Sequence, residues 1–472
     1  MVSSPLDVTS LKLKGAFGYV HLATGKLPEP STEPLETLLR RAERGEIRLA
    51  VVQEPLKGLP KIRPLRVLEK GITNGSAVTS PSTRTIGLVT AADLTGEGRP
   101  VEIVRGGLGQ IRYFGARLEG LEASKIPLLV LWASLAGIGL ALGIVALRKS
   151  RLVKAARSAL AVATAGTLAL LPAGLAPSAT TQIAMFFFAT LVIAALSRPE
   201  KRPTVVADIL QLFGVLVVLD TVFGWGMVAH SALSGYYSSG IRFYGIGNEY
   251  MGLLIGAALM SVPKRFLGWV GLGITLLLGL PMLGANAGGA MAASVAFASG
   301  GIVARRNHKT SGSESEAARS ESEAARKNSL VSHQIIKILL LLSIAILTAV
   351  FFAFIDRLQP GAAQSHIGQA AGKGTSAWGE IIVRKLAMNA RLTVAGPTLL
   401  ALAVVGVGMW HLKRLFARLG TELQGRVVQG LWGAGAAIAF NDSGTVAALL
   451  LLAPVIVTCL DKILVIPPPG GG

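Results

Sequence analysis

The sequence predicts an all-α polytopic membrane protein of about 10–11 transmembrane helices, preceded by a small N-terminal extracytoplasmic α/β segment. Three observations predict it. Apolar residues make up 51% of the chain, only 15% is charged, and the mean hydropathy is +0.57. The apolar residues come in blocks of about 20, the length a helix needs to cross a hydrocarbon core. The net charge of +20 is concentrated in short connections between those blocks, as happens when Lys and Arg are retained on the cytoplasmic side. That distribution removes the nucleic-acid reading that the charge alone would invite. The single cysteine, Cys459, lies in an apolar run, which excludes an internal disulfide and a cysteine metal cluster.

Residues 1–125 mix strand-like runs, such as 48–52 and 85–89, with a helical stretch around Leu35–Arg44. Frequent Gly and Pro divide them into short elements, as in a small α/β unit. An extracytoplasmic segment needs export, yet the first 25 residues contain Lys12 and Lys14 and no long apolar core. They do not form a signal peptide, so either the chain is shortened at its start, the favoured expectation, or the first true span translocates its N-terminal side.

Eleven spans are expected, as helices, because an open strand cannot satisfy its backbone in lipid. They cover 126–147, 156–172, 181–196, 204–229, 247–262, 266–281 and 286–304, then 334–355, 394–411, 427–440 and 444–460. The last two are short and read equally as half-helices broken at Asn441-Asp442-Ser443-Gly444. Between the two groups of spans, 305–333 is a polar linker in which Ser-Glu-Ser-Glu-Ala-Ala-Arg occurs at 313–319 and again at 320–326. It has no apolar face to bury and is expected to be solvated on the cytoplasmic side. Residues 466–472 form a short tail. Alternation places 22 Lys and Arg in the loops of one side and six on the other. The positive-inside rule then puts the N-terminal segment outside and the C-terminus inside.

With that orientation, Arg242, Tyr244, Asn248, Glu249, Asn286, His366, Asn441 and Asp442 all fall at the outer face. Polar groups at membrane depth are expensive and tend to mark function, so one extracytoplasmic site is expected. Arg242 suits a phosphate, which its planar fork pairs through two oxygens. Glu249 suits a general base, a cation ligand or an ion-pair partner of Arg242. His366, in the long outer loop, titrates near neutral pH and suits a hydroxyl-proton acceptor. Tyr236, Tyr237 and Tyr244 fit the interfacial aromatic belt. Asp220, counted about ten residues from the outer end of a 204–229 helix, would lie about 15 Å deep and would act as a proton relay, ion site or paired charge. Asp208 lies nearer the inner end.

The segment Ser80-Pro-Ser-Thr-Arg84, Gly87-Leu-Val89, Asp93-Leu94 and Gly98-Arg-Pro100 resembles the end of an alkaline-phosphatase-like domain. With Arg242-Phe-Tyr-Gly-Ile-Gly-Asn-Glu-Tyr250 and Asn441-Asp-Ser-Gly444, it resembles uncharacterised bacterial envelope proteins that join such a domain to a polytopic half. The chain departs from the phosphatase pattern: residues 1–125 hold only His21, Asp7 and Asp93 of the ligand types that a two-metal site needs. A remnant of the domain is expected, without its metals or chemistry. Arg242, Gly245 and Asn248, opening a span, are also similar to an element of the O-antigen ligases and polymerases, with Ser365-His366 standing where that family carries an outer-loop His. Glu249-Tyr250 departs from the family's Pro-Asn. The resemblance implies a lipid-linked sugar donor.

Three functional classes fit these residues. One is an enzyme-like envelope protein acting on a polyprenyl-phosphate-linked substrate without metal or cofactor, with Glu249 or His366 as base. The second is a transporter or flippase built on Asp220 and the Asn441–Gly444 break. The third is a non-catalytic envelope scaffold that binds a partner. Membrane lipid is the expected surrounding in all three, and nucleic acid in none.

Overall fold

The computed structural model describes residues 2–3, 16–22, 31–70, 72, 76–95, 101–104, 108–198, 202–234, 236–239, 243–304, 319–358, 383, 385 and 387–466. The N-terminal strands are β1 (Val2–Ser3), β2 (Ala16–His21), β3 (Leu49–Val52), β4 (Ile62–Leu68), β5 (Ala77–Thr79), β6 (Leu88–Thr90) and β7 (Glu102–Val104). They form a mixed sheet in the order β1-β3-β4-β2-β5-β7, with β6 also pairing β2. β2 and β3 run antiparallel to β4, in registers that set Ala16 opposite Val67 and Leu49 opposite Leu68. Alternation along β3 sends Leu49 and Val51 toward Leu38 and Ala42 of helix α1 (Leu35–Arg44), while Val52 joins Val20, Leu65 and Val78. Asp93, in the short helix α2 (Ala91–Thr95), accepts hydrogen bonds from Ser80 Oγ (2.7 Å), Ser82 Oγ (2.6 Å) and the Thr90 N–H (2.8 Å). Ser80, Ser82, Thr90 and Asp93 therefore build one turn-and-cap unit.

Helix α3 (Leu108–Ala146) joins the sheet to the membrane. Its first half buries Ile111, Phe114 and Leu118 in the same apolar cluster as Tyr19, Ile62 and Leu88 of the sheet. From Ile126 onward, around and past Pro127, it exposes Ile126, Val130 and Ile138. The boundary expected at 125/126 thus falls inside one helix. A 39-residue helix spans about 58 Å, enough for both a bilayer and a soluble unit.

The remaining helices follow the expected order: α4 (Val153–Ala173), α5 (Ala179–Ser197), α6 (Val205–Phe223), the short α7 (Tyr236–Ser239), α8 (Asn248–Ser261), α9 (Lys264–Gly279), α10 (Ala287–Ala304), α11 (Arg319–Arg357), α12 (Gly396–Leu415), α13 (Thr421–Phe440) and α14 (Gly444–Val465). Among the described residues, seven helices are long and apolar enough to cross a membrane: α3, α4, α5, α6, α11, α12 and α14. The other four expected spans are also helices, α8, α9, α10 and α13. α8 has 14 residues and α9 has 16, about 21 and 24 Å against a core of about 30 Å. α10 holds an apolar stretch over Ala287–Gly300, and α13 carries Glu422 and Arg426 in its first two turns. Length matters less where protein replaces lipid: Tyr250 to Met260 of α8 are all buried. Around this interior, α5, α11 and α12 expose Phe188, Leu191, Leu347 and Leu400, far more apolar surface than a water-soluble monomer leaves uncovered.

α13 and α14 are helices of 20 and 22 residues joined by Asn441–Ser443. This is a helical hairpin, so the half-helix alternative for this stretch does not hold. α11 begins at Arg319, inside the stretch expected as a linker.

Candidate functional site

The connections at the sheet-bearing end of the bundle are built from residues that end helices. α6 stops at Phe223 because Gly224 takes up a left-handed conformation (φ 67°), its N–H returning to the Asp220 carbonyl. The chain then folds back under Asp220, whose two carboxylate oxygens accept the N–H groups of Met227 and Val228, each at 2.8 Å. Asp220 is therefore a buried acceptor in the last turn of α6. The expected mid-membrane position assumed a helix running to 229, which the glycine stop and this cap prevent.

The cap presents His230, which is buried, with Nδ1 2.9 Å from the Gly226 carbonyl. Its ring lies against Tyr237 at 5.0 Å and Phe114 at 5.5 Å. Burial first, and then the Arg117 guanidinium, depress its pKa to about 3, while the Gly226 carbonyl pulls the other way. Burial also raises the Tyr237 hydroxyl to about 12, partly offset by its hydrogen bond with Thr85. His230 and Tyr237 are thus both held neutral beside Arg117.

The 243–250 segment is pinned from several directions. The Tyr236 hydroxyl donates to the Gly245 carbonyl at 3.0 Å and accepts the Gly247 N–H. Gly245 has φ 81°, and a Cβ there would strike the Gly284 carbonyl, which accepts the Ile246 N–H at 2.8 Å. Only glycine allows that approach. Tyr250, behind it, donates to Ser231 Oγ at 2.5 Å. From the sheet, Arg84 donates to the Pro281 carbonyl at 2.7 Å and lies 4.1 Å over the Tyr244 ring. Tyr244 is thus a docking point between sheet and bundle.

Asn248 and Asn286 meet here. Asn286 Nδ2 donates to the Ile246 carbonyl (2.9 Å) and to Asn248 Oδ1 (3.1 Å), and its Oδ1 accepts the Gly289 N–H (2.8 Å). Asn248 Nδ2 donates to Ser443 Oγ at 2.8 Å, reaching the α13–α14 hairpin. Asn441 is buried, its Nδ2 on the Ala437 carbonyl and its own carbonyl accepting Asn389 Nδ2 at 2.7 Å. Asn389 Oδ1 accepts the Thr445 N–H, and the Thr393 and Thr445 hydroxyls are 2.8 Å apart. Lys385 Nζ donates to the Phe440 carbonyl at 2.6 Å and lies 3.8 Å from Asp442 Oδ1. Glu249, half-buried, stands in the first turn of α8.

The structure therefore brings together Asn248, Asn286, Asn441, Asp442 and Glu249, with Tyr244 at the sheet seam and Asp220 behind in the α6 cap. Arg242 and His366 lie outside the described residues. Lys385, Asn389 and Thr393 escaped the sequence reading because they precede the apolar run taken as a span. The Asn389–Thr393 spacing of four, two polar groups on one helical face, was the available signal. Among the described residues no group of three or more His, Cys, Asp and Glu is placed to hold a metal. Chemically, the asparagines form a rigid interhelical frame, and the charged groups at its rim are Glu249, Lys385 and Asp442. No protein-family model, curated protein or solved structure matches the chain.

Proposed function

We propose that this chain is an integral protein of the bacterial cytoplasmic membrane, with its sheet outside and its basic helix ends inside, whose sheet-capped mouth handles a lipid-linked, phosphate-bearing glycan substrate. One observation carries the reading: segments around 248, 286, 389 and 441 converge on a single hydrogen-bonded frame that holds both a cation and carboxylates at its rim. Preorganised polar groups at membrane depth are costly unless they serve recognition. Lys385 would pair with the phosphate, joined by Arg242, and Glu249 would act as the base. With Asp220 spent on two amides and 441–443 an ordinary hairpin turn, the transporter reading loses the two features that suggested it.

The test is native mass spectrometry of the detergent-purified protein incubated with undecaprenyl phosphate. Wild type and Glu249→Gln should retain an adduct, and Lys385→Ala should lose it by about tenfold, the value of one charge-assisted contact. Equal adducts in all three would remove the phosphate role of the rim. A scaffold reading has its own support, since the described side-chain amides of the frame donate to other protein groups. It predicts that no single rim substitution abolishes function in cells.

A further inference from the structure

The opposite end of the bundle, where the basic connections lie, contains an open cleft of about 460 Å³ between the start of α6, the α8–α9 turn, the start of α13 and the end of α14. That is the size of many small-ligand sites. Its lining is mostly aliphatic, with a few polar groups set among it. Arg426 is buried, donating to the Leu259 (2.6 Å) and Val262 (2.8 Å) carbonyls and pairing with Glu422 at 2.7 Å. Glu422 is half-exposed, so water screens its neutralisation of the buried guanidinium. Lys462, on the wall formed by α14, donates to the Pro203 carbonyl at 3.0 Å. Thr458 is only 1% exposed, and its Oγ1 has no hydrogen-bond partner among the described residues. A buried hydroxyl left unpaired is costly, and Thr458 is one of the residues that line the cleft.

We propose that this cleft binds the phosphate headgroup of an anionic membrane lipid. The Thr458 hydroxyl donates to a phosphate oxygen, Lys462 turns from the Pro203 carbonyl to pair with its charge, and Arg426 supplies a fixed positive potential behind them. An acyl chain lies along the aliphatic wall near Ala207 and Val465. The depth is right for a headgroup because α8 and α14 end here and α13 begins here. Basic pockets between helices at this level select anionic over zwitterionic lipid. The site is remote from the sheet-capped mouth, and its test is independent of that reading.

The experiment is native mass spectrometry of the full chain in detergent with added phosphatidylglycerol or phosphatidylcholine. Wild type should retain phosphatidylglycerol about tenfold better, and Thr458→Val with Lys462→Ala should remove that preference. Arg426 stays unaltered because it ties α8 to α13. A second variant, Ala207→Trp, fills the cleft from α6 without touching its polar groups and should also abolish retention. Equal binding of the two lipids by wild type, or an unchanged preference in both variants, overturns the proposal. Displacement of phosphatidylglycerol by inorganic phosphate at millimolar concentration overturns the lipid assignment.

Discussion

His230 illustrates how a titratable side chain is consumed by its surroundings. Its ring is sealed between Phe114 and Tyr237 and held neutral, with its pKa depressed to about 3. Unfolding releases it to take up a proton below about pH 6.5. The unfolded chain then binds more protons than the folded one, so this contribution to stability is complete above about pH 6.5. It is lost as pH falls toward 3, at about 1.4 kcal/mol per pH unit. The thermal midpoint of the detergent-solubilised protein should therefore drop between pH 7 and pH 5, and a His230→Phe variant should lose much of that slope. Identical slopes would show that His230 does not titrate on unfolding. Asn248 and Asn286 follow the same logic: both are legible as unusual polar residues at span ends, but their choice of each other depends on a close approach that only Gly245 permits.

Among the elements, α8 is the most enclosed, and its glycines explain how. A Cβ at Gly252 would collide with the Ala447 carbonyl, and one at Gly256 with the Leu451 carbonyl, both on α14. Small residues four apart let two helix backbones touch, which is how a 14-residue helix is seated at the centre of the bundle. Replacing Gly252 or Gly256 by Leu should cost about 1–3 kcal/mol or more as overpacking, read as a lower thermal midpoint. Gly268 on α9 has open space where its Cβ would be, and Gly268→Ala should be neutral. Equal effects at the three sites would mean that the α8–α14 approach is not tight. The abundance of small residues was visible in the sequence. Which two helices they join was not, because hydropathy carries no information about partners.

On the scale of the whole molecule, the connections divide into a polar, sheet-bearing end and a basic end. Arg148, Arg151, Arg198, Lys264, Arg265, Lys413 and Arg418 mark the second. With the proposed orientation, a cysteine at exposed Glu43 of α1 should react with a membrane-impermeant maleimide in intact spheroplasts, whereas one at exposed Arg151 should react only after lysis. Cys459 is buried, so background labelling should be low. The reverse pattern would invert the proposed topology and place the sheet inside. Most helices were legible as apolar blocks, and β3 and β6 of the sheet as strand-like runs. The role of α8, α9, α10 and α13 was not, since an apolar run reads alike whether lipid or protein surrounds it.

Composition and charge alone determined the class of this protein, a polytopic helical bundle, and its basic end. Both follow from the free energy of moving side chains between water and hydrocarbon, a property of each residue by itself. The tertiary structure decided the rest. It ended α6 at Gly224 and turned Asp220 into a cap, and it joined Asn248, Asn286 and Ser443 across 195 residues of chain. It also opened the cleft beside Thr458. These depend on which backbones meet and which hydrogen bonds close between them, and such pairings have no local imprint in the order of residues.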